Sequence, residues 1–150
     1  MPKQRDFYHV SLKAILKNAD GNILILKADN QGTFAGFYDL PGGRIDEDEF
    51  SVPLIEVLKR EIAEEIGNAD MKIKETPVAV SRHCIKKEHT SLGKDIHVLY
   101  VFYEANVDEA NIKISNEHEG FEWVDLGKIE LEKYFTSGIL EGIKMYLKNK

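Results

Sequence analysis

The chain predicts an α/β fold, a mixed central sheet with helices on both faces, and three observations carry that expectation. Residues 8–17 alternate between apolar and polar side chains, as a strand does. Residues 54–66 repeat aliphatic side chains every four positions, the mark of a helix with one buried face. Residues 96–103 are apolar on both alternating faces, as in a central strand covered on two sides.

The elements follow in order. Tyr8, Val10, Leu12, Ala14 and Leu16 alternate with His9, Ser11, Lys13 and Lys17, which predicts a half-buried first strand. Asp20-Gly21 is a hairpin turn signal, and Ile23 to Leu26 returns as the second strand. Asn30 to Gly36 reads as a loop. Phe37 to Leu40 then leads to Pro41-Gly42-Gly43, a backbone that can adopt unusual angles or approach a ligand closely. A helix is expected to start near Ser51, a good N-cap, with Pro53 in its first turn. Leu54, Leu58, Ile62 and Ile66, broadened by Ile55, form its buried stripe, and Gly67 with Asn68 ends it. Met71 to Ile85 is rich in strand formers, Lys86 to Lys94 is a polar loop, and Ile96 to Tyr103 is the central strand. Asp108 to His118 is a polar connection, Phe121 to Leu126 a short strand, and Ser137 to Leu147 an amphipathic helix. The sum is an α/β/α sandwich.

Composition bounds what such a fold does. With 150 residues, 43% hydrophobic and 31% charged, the chain is most simply one domain spanning residues 1–150. No apolar run approaches the ~20 residues of a membrane helix, and the N-terminus has no signal-like apolar region. The single cysteine, Cys84, excludes an internal disulfide, fits a reducing cytoplasm and reads as a buried strand residue. A net charge of −6 argues against a broad nucleic-acid footprint. It leaves phosphate substrates open, because a bound cation inverts the local field.

Chemistry concentrates between Gly42 and Gly67. Glu61, Glu64 and Glu65 lie three and four residues apart, so a helix projects them together. Like charges at that spacing cost about 0.2–0.5 kcal/mol per pair, and a hard divalent cation is a natural compensation. The competing reading is a solvated, salt-bridged helix face. Context favours chemistry: the acids follow Pro41-Gly42-Gly43, sit opposite an apolar stripe and end at a glycine.

That combination resembles the signature of the Nudix (MutT-like) hydrolase family. Gly43, then Glu49 after five residues, then Arg60-Glu61-Ile62-Ala63-Glu64-Glu65-Ile66-Gly67 match its two halves. Ten residues rather than seven separate Glu49 from Arg60, and Asn68 stands where an aliphatic is usual. The resemblance extends to Phe37–Asp46 and to the Glu117–Asp125 segment, and so to nearly the whole chain. It implies the same α/β/α architecture and a magnesium-dependent pyrophosphohydrolase, with manganese as a possible substitute. The substrate would be a nucleoside diphosphate linked to another group, or a nucleoside triphosphate. Glu61, Glu64, Glu65 and a backbone carbonyl of Gly42 or Gly43 would hold metal; a simple tight turn is the competing reading of the glycines. Arg60 would pair with Glu49, or with Asp46, Glu47 or Asp48 in its place, to orient the loop. Glu117, or Glu119 in its place, would supply a further ligand or the general base. Family members are often homodimers.

Substrate contacts are sparsely encoded. Arg44 and Arg82 are candidates for gripping phosphate, and Phe34, Phe37 and Tyr38 for stacking on a base; surface or core packing is the competing reading of each. Two other functions compete. A nucleotide-binding sensor that has lost catalysis would be expected to lose the box carboxylates, which this chain keeps. An isomerase of the same fold would want a cysteine placed for acid–base chemistry, and Cys84 lies on a strand after the box.

Overall fold

The computed structural model describes residues 2–28, 35–108, 110, 112–113 and 118–150. Eight strands form one mixed sheet: β1 (Tyr8–Lys17), β2 (Ile23–Ala28), β3 (Tyr38–Asp39), β4 (Gly42–Arg44), β5 (Met71–Ile73), β6 (Ala79–Ile85), β7 (Ile96–Val107) and β8 (His118–Val124). The helices are α1 (Leu54–Ile66), the single turn α2 (Leu131–Tyr134) and α3 (Ser137–Lys148). The path runs β3-β2-β1-β7-β5, with β4 joined to β1, β6 to β7 and β8 to β2. β1 and β7 pair in parallel from Tyr8↔His97 to Lys17↔Asn106, and every other pairing is antiparallel.

Two cores lie on opposite faces of this sheet. Leu12, Ala14 and Leu16 of β1 pack with Leu24, Leu26, Leu58, Ile62 and Ile66, which places α1 on one side. Ile15, Ile25, Phe102, Ile139 and Ile143 pack on the other, under α3. The layers are those the sequence predicts. Among the described residues no helix is long and apolar enough to cross a membrane.

Three local expectations need correction. β1 is not half-buried: every residue from Ser11 to Leu16 is buried, Lys13 included. The strand has β7 along one edge and β4 along the other, and helices cover both faces. α1 starts at Leu54 with Pro53, not Ser51, as its N-cap. A proline disfavours helical angles in the residue before it, so Val52 cannot lead into the helix. The Pro53 carbonyl instead accepts the first bonds, from Glu56 and Val57. Leu54 is 45% exposed rather than part of the buried stripe. Steps of four residues at 3.6 per turn creep around a helix, and the buried line runs through Val57, Leu58, Ile62, Glu65 and Ile66. The last strand also differs in its bounds. β8 stops at Val124, opposite the first residue of β2, and Asp125 turns the chain by accepting the Gly127 N–H at 2.9 Å. Leu126 is buried outside the strand.

Candidate active site

The glycine pair and the acidic side of α1 meet directly. β4 lies antiparallel to β1, with Gly42 opposite Lys13 and Gly43 opposite Leu12. Gly42 has φ +141, and a Cβ there would overlap the Leu12 carbonyl, so only glycine fits. Its N–H donates to Glu65 Oε1 at 2.5 Å. Gly43 faces Glu61 so closely that a Cβ would occupy the space of the Glu61 carboxylate. The β4 backbone is therefore a floor on which two carboxylates rest.

The three helix acids differ in how far they are withdrawn from solvent. Glu65 is buried at 6% exposure, and the Glu61 side chain is 16% exposed. Glu64 is 59% exposed, and its Oε1 lies 3.1 Å from Arg60 Nη1. Arg60 also contacts Glu61 at 2.9 Å. Burial pushes the Glu61 carboxyl upward; Arg60 opposes this, and Glu64 and Glu65 add to it.

Arg60 and Glu49 form a two-pronged pair. Nε donates to Oε2 at 2.7 Å and Nη2 to Oε1 at 2.6 Å. Glu49 ends a 3-10 turn (Glu47–Glu49), and the Asp46 N–H donates to its Oε1 at 2.9 Å. Arg60 first, then this amide, hold the Glu49 carboxyl below the ordinary glutamate value. The extra residues between Glu49 and α1 bulge outward, with Phe50 97% exposed. The insertion is taken up at the surface, and the pair closes behind it.

The chemistry of this donor set suits a hard cation. Carboxylate oxygens of Glu61 and Glu65 stand over a glycine floor that any other residue would fill. Among the described residues no three acidic, histidine or cysteine side chains gather on one point. Glu117 lies outside the described residues, as does Phe34, and Glu119 falls within β8.

The expected substrate contacts disperse. Arg44, beside the glycine pair, is exposed and lies 3.2 Å from His9 Nδ1. Arg82 is exposed on β6, donates to the Tyr8 hydroxyl at 3.3 Å, and lines a cleft of about 490 Å³ with Tyr8, His83 and Ser137. Tyr38 donates its hydroxyl to Glu122 and packs against Tyr134 at 5.5 Å. The Glu122 bond, with burial, pushes its phenol up to about 12. Phe37 is half-buried, and its carbonyl accepts the Ala28 N–H. Cys84 is half-buried on β6, and His97 bonds Asp6 at 2.7 Å.

Sequence reasoning missed Lys13 and Asp39. Lys13 is 5% exposed and lies 3.0 Å from Asp39 Oδ2, immediately before the glycine turn. The signal available was the run Asp39-Leu40-Pro41-Gly42, an acid held against a turn.

Known proteins resemble this chain in sequence and in fold. The family model described as NUDIX domain matches residues 7–143. Nucleoside triphosphatase NudI of Escherichia coli is 28% identical over 111 residues, 73% of this chain and 77% of that protein. The solved structure of a MutT protein from Methanosarcina mazei Go1 has a TM-score of 0.70 at 25% identity, covering 97% of this chain and 95% of that one. The Escherichia coli dihydroneopterin triphosphate pyrophosphohydrolase shares the fold, with a TM-score of 0.68 over 97% and 100% of the chains at 15% identity.

Proposed function

The chain belongs to the Nudix family of hydrolases, which act on phosphoanhydride bonds, and we propose that it is a magnesium-dependent pyrophosphohydrolase. Its substrate is a nucleoside diphosphate derivative or a nucleoside triphosphate, and its product a nucleoside monophosphate. The observation that carries this reading is the seat of Glu61 and Glu65 on Gly43 and Gly42. Those two carboxylates, with Glu64 and the Gly43 carbonyl, are the groups that would hold the divalent cation. Bound there, the cation would neutralise phosphate charge and ease deprotonation of a water. Arg60 and Glu49 keep the acidic loop against α1, so the ligands need not reorganise when substrate arrives. Arg44, next to the glycines, is the cation nearest in sequence for gripping a phosphate. Glu117, as the distant acid, activates water or completes the ligand set.

The test is phosphate release from a panel of nucleoside triphosphates and nucleoside diphosphate conjugates, with a coupled phosphatase, with and without magnesium. Glu65→Gln serves as the control for contaminating enzyme. Metal-dependent release that the variant abolishes is the expected result. Metal-dependent nucleotide binding without release from any member would overturn the hydrolase reading in favour of a sensor.

A further inference from the structure

We propose that Lys13 is a positioning residue that fixes the junction between the glycine turn and the helix acids from the opposite face of the sheet. The inference rests on the functional reading above only for its consequence in catalysis.

Lys13 bonds the chain just ahead of the site. Its ammonium reaches Asp39 Oδ2 at 3.0 Å and the Leu40 carbonyl at 3.3 Å, and it lies 5.8 Å above the Tyr100 ring. Asp39 Oδ1 in turn accepts the Leu40 N–H at 2.7 Å. The pair thus holds both backbone polar groups of Leu40, whose side chain is wholly buried. The next carbonyl, Pro41, accepts the Ala14 N–H at 2.8 Å, and the next N–H, Gly42, donates to Glu65. Three successive residues are therefore fixed group by group, and the series ends on a proposed ligand.

A core that needed only packing would not need this arrangement. Buried ion pairs are often replaceable by apolar residues of similar volume without loss of stability. Lys13 is a buried cation with Asp39 as its direct ionic partner. Burial pulls its ammonium down, but Asp39, Tyr100 and Glu65 outweigh that and raise it.

The experiment compares full-length Lys13→Met and Lys13→Met/Asp39→Asn with the parent. The readouts are Gly42 amide exchange by nitrogen-15 NMR, Mn2+ affinity by calorimetry, Tm, and kcat and KM. The double variant removes both charges, so its Tm is expected to return close to the parent. Its Gly42 protection is expected to fall at least about tenfold and its Mn2+ affinity about 10–100-fold, the range typical of groups that orient metal ligands. A double variant with parental Gly42 protection and parental Mn2+ affinity would overturn the proposal and leave Lys13 a fold residue. Should Lys13→Met not fold, Asp39→Asn alone decides it by the same two readouts: parental values there also overturn it. Absence of phosphate release from the parent would count against the hydrolase reading, whereas Gly42 exchange judges the positioning role independently.

Discussion

Glu61 and Glu104 are both largely withdrawn from solvent, yet their surroundings push them in opposite directions. Glu104, on β7, is 6% exposed. It lies 2.7 Å from Lys74 and accepts the Tyr146 hydroxyl. Burial works against its charge, but Lys74, Tyr146 and Lys17 overcome it and hold the carboxyl below the ordinary glutamate value. Burial raises the Glu61 carboxyl; Arg60 opposes this without overcoming it, and Glu64 and Glu65 add to the rise. One end of the molecule closes a carboxylate with local cations. The other crowds carboxylates around a glycine floor and spends its arginine on several of them at once. Burial alone does not distinguish a structural acid from a functional one; whether the neighbouring cations and donors outweigh it does.

That contrast predicts a graded set of responses. Glu61→Gln and Glu65→Gln remove the proposed ligands themselves and should lower kcat by more than the about 100-fold that bounds outer-shell changes. Circular dichroism should show the fold retained, and parental turnover in both would end the contrast. Gly43→Ala leaves every acid in place but puts a methyl where the Glu61 carboxylate sits. Displacement of about 1 Å in a reacting site can cost about 100-fold, so a steady-state assay should read a loss up to that size. Glu49→Gln keeps the shape and weakens the grip on Arg60. Metal affinity should fall about 10–100-fold with little change in Tm.

Glu104→Gln should leave kcat unchanged and lower stability by about 1–3 kcal/mol, the usual cost of breaking a buried charged hydrogen bond. At about 2–4 °C for each kcal/mol in a chain of this size, calorimetry resolves it. The folded carboxyl lies below its ordinary value of 4.5. The stabilisation is therefore present above that pH and lost as pH falls through the folded value. The Tm gap between parent and variant should shrink as pH falls below 4.5; a constant gap would show that charge is not its source.

How far these sites could be read from sequence depended on whether local pattern or long-range pairing decided them. The apolar line of α1 from Leu58 through Ile62 to Ile66 and the two-sided burial of β7 follow from periodicity, the stop at Gly67 from its glycine, and the structure has them. The Arg60–Glu49 contact follows from motif spacing and is present despite the insertion. Lys13 was illegible because an alternating strand assigns its charge to solvent. Only the parallel partner β7 on one edge, β4 on the other and a helix over each face bury it. Helical spacing brings Glu61 and Glu64 to one guanidinium nitrogen, Arg60 Nη1. Glu104 gave no signal at all, since a lone acid in an apolar strand does not announce the lysine and tyrosine that meet it from β5's flank and α3.

The outward bulge at Phe50 has a consequence for how the motif is conceived. Glu49 and Arg60 clasp across it, and the cost of closing a flexible loop rises by only about 0.6 kcal/mol for each doubling of length. The signature therefore behaves as two rigid halves joined by a tether, not as a string of fixed length. The tether at residues 50–53 is accordingly a natural place to graft a probe or a short peptide, provided the clasp behind it is left intact.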